Sequence, residues 1–370
     1  MLASRSDAEN NLGSARIALP LVLVMPVGPG ECLGALEILD SARLFLRLPY
    51  RVVVIDDSGE LGTRRRLARY REVDLLRNWH RNGINHLVRS LQRAYRHVLA
   101  RYDFEAILKV DTDALITGPG VDEDILRFVR DHPNAGMIGS RNWPDRTDHV
   151  WRKVLVNNQA MWGSYLRLAQ THGYVPGESV LGGAYVLSRA CVATLSTKGD
   201  LNLKPTGDYL SEDVMFSLLA QAAGFELKEF ADRGQPFALA WRGLPMPPSQ
   251  ILAEGKKVVH SLKFNATDLA LRAVFARNRR RVAAERGSRV DSETVSLERQ
   301  SRRLQIWVKW GPVAIRALRA NRLIHARRML RRCARVLPGQ PLIWVGLAGS
   351  FLPPTVIPSL KALRRSSLWR

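Results

Sequence analysis

Two carboxylates one residue apart follow a short apolar run near the middle of the chain. The run covers residues 107–110, and Asp111 and Asp113 come directly after it. In an extended segment, residues i and i+2 point to the same side, so both carboxylates can converge on one hard cation. The pair would lie at the carboxyl end of a strand, where open α/β sheets bind their ligands. A divalent metal held there can stabilise a diphosphate as a leaving group, and a solvated turn is the structural alternative.

Two further acidic pairs stand where secondary structure is predicted to end or begin. Asp56 and Asp57 fall near the end of a strand predicted over residues 51–59, and an Asx turn is the alternative to a binding role. Glu212 and Asp213 begin a predicted helix, where acidic side chains also interact favourably with the helix dipole. A carboxylate at such a place can instead serve as a general base.

Glycine and aromatic residues add further candidates. Gly182 and Gly183 predict a tight backbone passage into a strand, which leads to a helix N-cap at Ser188. Trp241 can stack on a flat apolar face of a ligand and Arg242 can hydrogen-bond to it, so both are candidates for ligand binding. Packing in the core is an equally good explanation for the tryptophan.

A histidine and a lysine end the last predicted strand of this region. A lone histidine such as His260 is more often a satisfied core residue than a ligand, but its imidazole suits a divalent metal bound by carboxylates. Lys263 follows three residues later, and its charge would suit a diphosphate.

Strand and helix patterns alternate in the first two thirds of the chain and would position these residues. A buried strand is predicted over residues 18–27, a helix over 31–46 and a second strand over 51–59. This alternation predicts an α/β domain. With 370 residues, of which 46% are hydrophobic, the chain can bury a sizeable core.

The order of these motifs resembles that of the glycosyltransferase A fold, a Rossmann-like α/β fold with a mixed central sheet. The resemblance covers residues 17–264. The first two strands are most similar to bacterial family 2 enzymes, and from the Asp-x-Asp motif onward the chain is also similar to the β-1,3-galactosyltransferase-like family. The resemblance implies a metal-dependent, inverting transfer of one sugar from a nucleotide-sugar donor, commonly a UDP-sugar, to a saccharide or lipid-linked acceptor.

The same resemblance implies roles for individual residues. Asp213 would be the general base, and Glu212 would hold hydroxyls of the acceptor. Mn²⁺ or Mg²⁺ would be held by Asp111, Asp113 and His260. The expected contacts to the nucleotide sugar are Pro26, Val27, Asp56, Asp57, Asp111, Gly182, Gly183 and Lys263.

Other classes of protein are weighed on the same residues. A nucleotidyltransferase would need a glycine-rich loop with an arginine and a downstream Pro-Lys after the first strand, and residues 28–34 contain neither. Leu33 stands where a dinucleotide-binding motif needs its third glycine, which argues against a nicotinamide or flavin enzyme. A catalytically silent scaffold that binds sugar nucleotides is the remaining alternative, although it would not need all the carboxylates and the histidine.

The positive charge of the chain is concentrated at its end. Residues 1–265 hold 33 basic and 29 acidic side chains, whereas residues 266–370 hold 23 basic and 5 acidic ones. This asymmetry predicts a flexible N-terminus over residues 1–16, a catalytic domain over 17–265 and a basic helical extension over 266–370.

The composition of the basic extension predicts binding to a negatively charged surface. Sixteen basic and no acidic residues follow Glu298. Basic amphipathic helices with interfacial tryptophans bind anionic lipid, so residues 299–370 are expected to contact an anionic membrane. The alternative is a helical pair docked on the catalytic domain. No nucleic-acid-binding module is recognisable, which argues against nucleic acid as a partner.

Cysteine usage and the N-terminal region suggest a compartment. Cys32, Cys191 and Cys333 are widely spaced and odd in number, which fits a reducing environment. The apolar stretch over residues 17–27 is too short to span a bilayer and contains two prolines, so neither a signal peptide nor an anchor is expected. The expected location is the cytoplasm, with peripheral contact to the inner face of the plasma membrane.

Overall fold

The computed structural model of the chain describes residues 16–78, 84–142, 150–203, 210–263, 266–287, 324 and 327–331. The chain divides into two units, residues 1–262 and residues 263–370. All of the candidate site residues except Lys263 belong to the first unit.

Strands and helices alternate along the first unit. The strands are β1 (Ile17–Ala18), β2 (Leu21–Val27), β3 (Tyr50–Asp56), β4 (Val73–Arg77), β5 (Tyr102–Asp103), β6 (Ala106–Val110), β7 (Leu115–Ile116), β8 (Ala135–Asn142), β9 (Ser179–Ser188), β10 (Glu226–Glu229), β11 (Phe237–Leu239) and β12 (Val258–His260). The helices are α1 (Cys32–Phe45), α2 (Leu61–Leu67), α3 (Ile84–Arg101), α4 (Val121–Asp131), α5 (Val150–Asn157), α6 (Gln159–Thr171), α7 (Arg189–Thr197), α8 (Glu212–Ala222) and α9 (Pro248–Ala253), with a 3₁₀ turn at Asp200–Asn202.

Seven of the strands form a central sheet in the order β10-β8-β9-β6-β2-β3-β4. All of them run in one direction except β9, which is antiparallel to both β6 and β8. The predicted α/β class with a mixed central sheet is therefore confirmed. A small sheet in the order β11-β12-β7 and a two-stranded pairing of β1 with β5 complete the strand arrangement.

The central strands form because their sequences are apolar on both faces. Every residue of β2, with the sequence LVLVMPV, is buried, as expected for a parallel strand that helices cover on both sides. Helices α3, α6 and α8 supply Tyr95, Trp162 and Phe216 to one continuous core with the sheet. The rings of Tyr95 and Phe216 meet edge to face with 5.3 Å between their centroids. Truncating such a buried aromatic ring to alanine typically costs about 3–5 kcal/mol of stability.

The first predicted strand is wrong at its start. Residues 18–27 form two strands, because the chain bends at Pro20, which lacks the N–H that would continue the ladder. The Pro20 carbonyl instead accepts from the backbone N–H groups of Glu105 and Ala106 at 3.1 and 3.3 Å. The predicted helix over residues 31–46 and strand over 51–59 are observed as α1 and β3.

The second unit begins with helix α10 (Ala266–Glu285). Gly287 follows it with a φ of 62°, the left-handed conformation in which helices commonly end. The basic helical extension predicted over residues 266–370 is thus helical over α10, and its part beyond residue 287, apart from residue 324 and residues 327–331, lies outside the described residues. The predicted membrane-associating segment over residues 299–370 also lies outside them, apart from residue 324 and residues 327–331. Within the described parts of the chain, no helix has the length and apolarity to cross a membrane.

Candidate active site at the carboxyl edge of the sheet

Several segments of the first unit meet at one edge of the central sheet. Strands β2, β3 and β6 are parallel and end there at Val27, Asp56 and Val110. Because β9 runs in the opposite direction, the middle of β9 lies beside the end of β6, where Ala184 pairs with Val110. The backbone N–H of Asp111 donates to the carbonyl of Gly183 at 2.9 Å, which joins the two strands at this edge.

The two carboxylates after β6 converge through a turn. The strand ends at Val110, and the N–H of Ala114 donates to the carbonyl of Asp111 at 2.9 Å. The expectation that Asp111 and Asp113 share one side of an extended segment is therefore wrong. The turn reverses the chain tightly, so that both carboxylates point to the same place, and β7 starts directly afterwards.

The small sheet carries His260 to this turn. Strand β12 pairs with β7, and the N–H of Leu262 donates to the carbonyl of Asp113 at 2.8 Å. The imidazole Nε2 of His260 lies 3.1 Å from Oδ1 of Asp113. One ligand atom each from Asp111, Asp113 and His260 lie within 4.8 Å of one another. The structure thus brings together the three residues that the sequence predicts as a metal site.

The hydrogen bonds of His260 fit a metal ligand. Its Nδ1 lies 2.9 Å from the carbonyl oxygen of Ala240, which can only accept, so Nδ1 carries the proton. In the neutral ring, Nε2 then presents its lone pair toward Asp113, as a metal-binding histidine does. Ser261 holds the other oxygen of Asp113, with its hydroxyl donating to Oδ2 at 3.2 Å. Two carboxylates and an imidazole suit Mn²⁺ or Mg²⁺.

The acidic pair at the start of α8, Glu212 and Asp213, lies next to Gly182 of β9. The N–H of Gly182 donates to Oδ2 of Asp213 at 3.2 Å, and the N–H of Val214 donates to Oδ1 at 2.9 Å. Burial and the adjacent charge of Glu212 raise the pKa of Asp213 to about 6. Asp213 remains partly exposed, whereas Glu212 is almost fully buried. Asp213 is therefore the more accessible carboxylate and is suited to accept a proton near neutral pH.

A buried lysine that the sequence analysis missed connects the two acidic groups. The Lys109 ammonium is 2.6 Å from Oδ1 of Asp111 and 3.3 Å from Oε1 of Glu212, and it also donates to the carbonyl of Gly182. Burial lowers the pKa of Lys109, but the two carboxylates outweigh this effect and raise the pKa overall, so the ammonium stays charged. Burial also raises the pKa of Asp111 to about 6, although Lys109 opposes this shift.

The two glycines of β9 give room to side chains of the site. A Cβ at Gly183 would lie 2.2–2.3 Å from atoms of the His260 ring, and a Cβ at Gly182 would lie 2.5 Å from Oε1 of Glu212. Both carbonyls and the N–H of Gly182 already take part in hydrogen bonds of the site. The observed need for glycine is thus close packing against the site's own residues, and contact with a sugar stays a prediction.

The acidic pair at the end of β3, Asp56 and Asp57, has a mainly structural environment. Asp56 is fully buried, accepts from the N–H of Ser58 at 3.1 Å in an Asx turn, and pairs with Nε of Arg64 at 3.0 Å. Asp57 accepts from the hydroxyl of Ser90 at 3.0 Å and is partly exposed. Asp57 is therefore the member of the pair that can face a ligand.

Pro26 and Val27 end strand β2 at the same edge, and both side chains are buried. The carbonyl of Val27 accepts from the N–H of Asp57 at 3.0 Å, which fixes the two strand ends to each other. Backbone contacts from these residues to a nucleoside stay a prediction.

Trp241 and Arg242 lie in a short loop that is attached to His260. Ala240 is hydrogen-bonded to His260 through both its N–H and its carbonyl. The carbonyl of Gly243 accepts from the N–H of Ser261, the residue after His260. The tryptophan ring is 72% exposed, and the Arg242 guanidinium lies 4.3 Å from its centroid. The alternative of core packing for this tryptophan is therefore wrong.

Lys263 begins the second unit. Its side chain is exposed, and its backbone N–H donates to Oδ2 of Asp268 at 2.9 Å. Its role toward a diphosphate stays a prediction.

No family model and no curated protein matches the chain. Among solved structures, it is similar to the bifunctional glycosyltransferase WbbM, with 13% identity and a TM-score of 0.41 over 71% of this chain, and it spans only half of that protein. It is also similar to the galactosyltransferase LgtC in complex with donor and acceptor sugar analogues, with 12% identity, a TM-score of 0.39, and coverage of 70% of this chain and 95% of the other. A third similar structure is the mannosyltransferase PcManGT from Pyrobaculum calidifontis with GDP-Man and Mn²⁺, at 16% identity, a TM-score of 0.40, and coverage of 92% and 89%. At such identities, the function has to be argued from the site itself.

Proposed function

We propose that the chain is a metal-dependent, inverting glycosyltransferase that moves one sugar from a nucleotide donor, most simply a UDP-sugar, to a hydroxyl of a saccharide or lipid-linked acceptor. The observation that carries the proposal is the cluster of Asp111, Asp113 and His260 beside the carboxylate pair of α8. A metal site next to a poised base is what displacement of a diphosphate by a hydroxyl requires.

The metal cluster and Asp213 act on different parts of the reaction: the cluster on the leaving group and Asp213 on the acceptor hydroxyl. When bound to Asp111, Asp113 and His260, a divalent cation would stabilise the negative charge of the departing diphosphate. Asp213 accepts the proton of the acceptor hydroxyl, whose oxygen forms the new bond to the anomeric carbon. The bond from that carbon to the diphosphate breaks, and its electron pair leaves with the diphosphate. Attack from the face opposite the leaving group inverts the anomeric centre.

The binding of substrates is assigned to residues around these groups. We assign the nucleoside to the strand ends at Pro26, Val27 and Asp57, which lie at the same edge as the metal ligands. The exposed Trp241 offers a flat apolar surface next to His260, and sugars stack on such surfaces. Arg242 adds hydrogen-bond donors beside it, so the loop suits an acceptor sugar.

The basic end of the chain suggests where the acceptor is found. Sixteen basic residues after Glu298, with no acidic one, would attract an anionic membrane. A peripheral position on the inner face of the plasma membrane would bring the enzyme close to lipid-linked acceptors. In the short described helical piece, Arg328 and Arg331 are exposed while Met329 and Leu330 are buried, so one side of it is already packed within the protein.

The direct test is release of nucleoside diphosphate from a panel of UDP- and GDP-sugars. Slow hydrolysis of one donor should occur with Mn²⁺ and stop when the ion is chelated. Asp113→Ala should abolish it without unfolding the protein, because this carboxylate is partly exposed and belongs to the ligand cluster.

A matched control is Glu105→Ala, which removes a carboxylate next to the opposite end of β6, where it pairs with Arg130 on the surface. Such pairs typically contribute about 0–1 kcal/mol, so this variant should hydrolyse the donor like the wild type. Full activity in excess chelator would contradict the metal centre. A wild type that binds a donor with Mn²⁺ but never cleaves or transfers it would instead indicate a silent scaffold.

A further inference from the structure

Lys109 stands out because it is a fully buried lysine in the middle of the central sheet. It lies on β6 opposite Tyr185 of β9, and its ammonium is 5.3 Å from the centre of the tyrosine ring. Burying a charged group is unfavourable unless charged or polar partners surround it. A simple sheet-forming residue at this position would be apolar, like Leu108 and Val110 on either side of it.

All three protons of the ammonium have acceptors, and each acceptor comes from a different segment. Asp111 belongs to the turn after β6, Gly182 to β9 and Glu212 to the first turn of α8. An ammonium has three donors, so this set satisfies it completely. Lys109 therefore fixes the position of the α8 start relative to the Asp-x-Asp turn.

The contact with Asp111 also determines how this carboxylate faces the metal site. The ammonium of Lys109 pairs with Oδ1 of Asp111 at 2.6 Å and not with Oδ2. Partners that hold a ligating carboxylate set its orientation toward the metal. On the other side of the cluster, Ser261 holds Oδ2 of Asp113 in a similar way.

We propose that Lys109 is a positioning residue that orients the Asp111 carboxylate toward the proposed metal site and holds it in register with the carboxylate pair of α8. This inference rests on the proposed function, because it takes the cluster of Asp111, Asp113 and His260 to be the metal site. Lys109 itself is fully buried, so it would act through Asp111.

The test is a calorimetric titration of purified protein with Mn²⁺ alone. It compares the wild type with Lys109→Met and Lys109→Arg. Loss of a partner that orients a metal ligand typically weakens affinity by about 10–100-fold, and we expect both variants to fall in that range. Arginine keeps the charge but not the compact three-way geometry, so it should not rescue binding. If Lys109→Met does not fold, the charge-preserving arginine variant decides the question.

Lys256→Met is the matched control. Lys256 is also buried, but its ammonium donates only to the backbone carbonyls of Ala231 and Asp232, at 2.8 and 2.6 Å. Its loss should lower the melting temperature and leave Mn²⁺ affinity unchanged. Wild-type affinity in both Lys109 variants, or tighter binding in Lys109→Met, would overturn the positioning role alone. A wild type that does not bind Mn²⁺ would overturn the proposed metal centre and this inference together.

Discussion

Replacing Gly183 by alanine should displace His260, the proposed metal ligand, while leaving the rest of the sheet in place. The new Cβ would lie 2.2 Å from Cγ of His260 and 2.3 Å from Cδ2 and Nδ1. Carbon atoms in contact normally lie about 3.5–4.0 Å apart, so the ring would have to move by roughly 1.2 Å or more. The ring cannot make this movement and keep its 2.9 Å hydrogen bond to Ala240.

The size of the effect follows from the tolerance of metal coordination. Metal–ligand distances vary by only about 0.2 Å, so a ring displaced this far no longer contributes Nε2. We expect the dissociation constant for Mn²⁺ to rise at least about tenfold, which corresponds to about 1.4 kcal/mol. Calorimetric titration measures this change, and circular dichroism verifies that the variant is folded.

Two further variants make the interpretation specific. Gly62→Ala places a methyl group on helix α2 with nothing within 4 Å, so it should bind Mn²⁺ like the wild type. The double variant Gly183→Ala with His260→Ala has no ring to clash with, so it should regain thermal stability but not Mn²⁺ affinity. If Gly183→Ala alone binds Mn²⁺ as tightly as the wild type, then His260 is not a ligand and the cluster has to be reassigned.

Four other predictions address the base, the acceptor site and the basic extension. Asp213→Asn should lower turnover by about 10²- to 10⁴-fold with donor binding retained. A loss of turnover below about fivefold would mean that Asp213 has only a structural role at the start of α8. Wild-type activity should also fall as the pH drops through about 6, because both Asp213 and Asp111 take up protons there: the base can no longer accept a proton, and the proposed metal ligand loses its negative charge. Trp241→Ala should leave the melting temperature unchanged and raise the KM for the acceptor, since the ring is 72% exposed; an unaltered KM would exclude it from the acceptor site. Truncation after residue 298 should preserve nucleotide binding but release the protein from anionic vesicles. A full-length chain that does not bind such vesicles at low salt would contradict a membrane role.

The sheet and its polar edge could be predicted because buried parallel strands have an unmistakable sequence pattern. Runs that are apolar apart from single charges mark β2, β3 and β6, and acidic residues stand where β3 and β6 end. Asp111 and Asp113 were found in this way. The resemblance then added His260, and the structure places all three residues together.

The rest of the site depends on pairings between distant segments. Nothing local indicates that β9 runs against its neighbours, so the close approach of Gly183 to His260 could not be foreseen. Lys109 was missed because one charge in an apolar run gives no hint of its partners; its position two residues before Asp111 was the available signal. Asp56 was expected to bind a nucleotide, but its burial and its pairing with Arg64 become visible only in the folded chain.

The proposed metal ligands are also far apart along the chain, which links the site to the completion of folding. Ser261 is hydrogen-bonded to Asp113 although 148 positions separate them. Contacts across such long loops carry a large closure entropy and are slow to form. During synthesis, the cluster cannot be completed until His260 has emerged from the ribosome. A cation that binds only the finished cluster would stabilise the native state by about 2.7 kcal/mol at one hundred times its dissociation constant. Metal binding would therefore distinguish complete chains from partly folded ones, and the supply of metal would influence how much folded protein a cell retains.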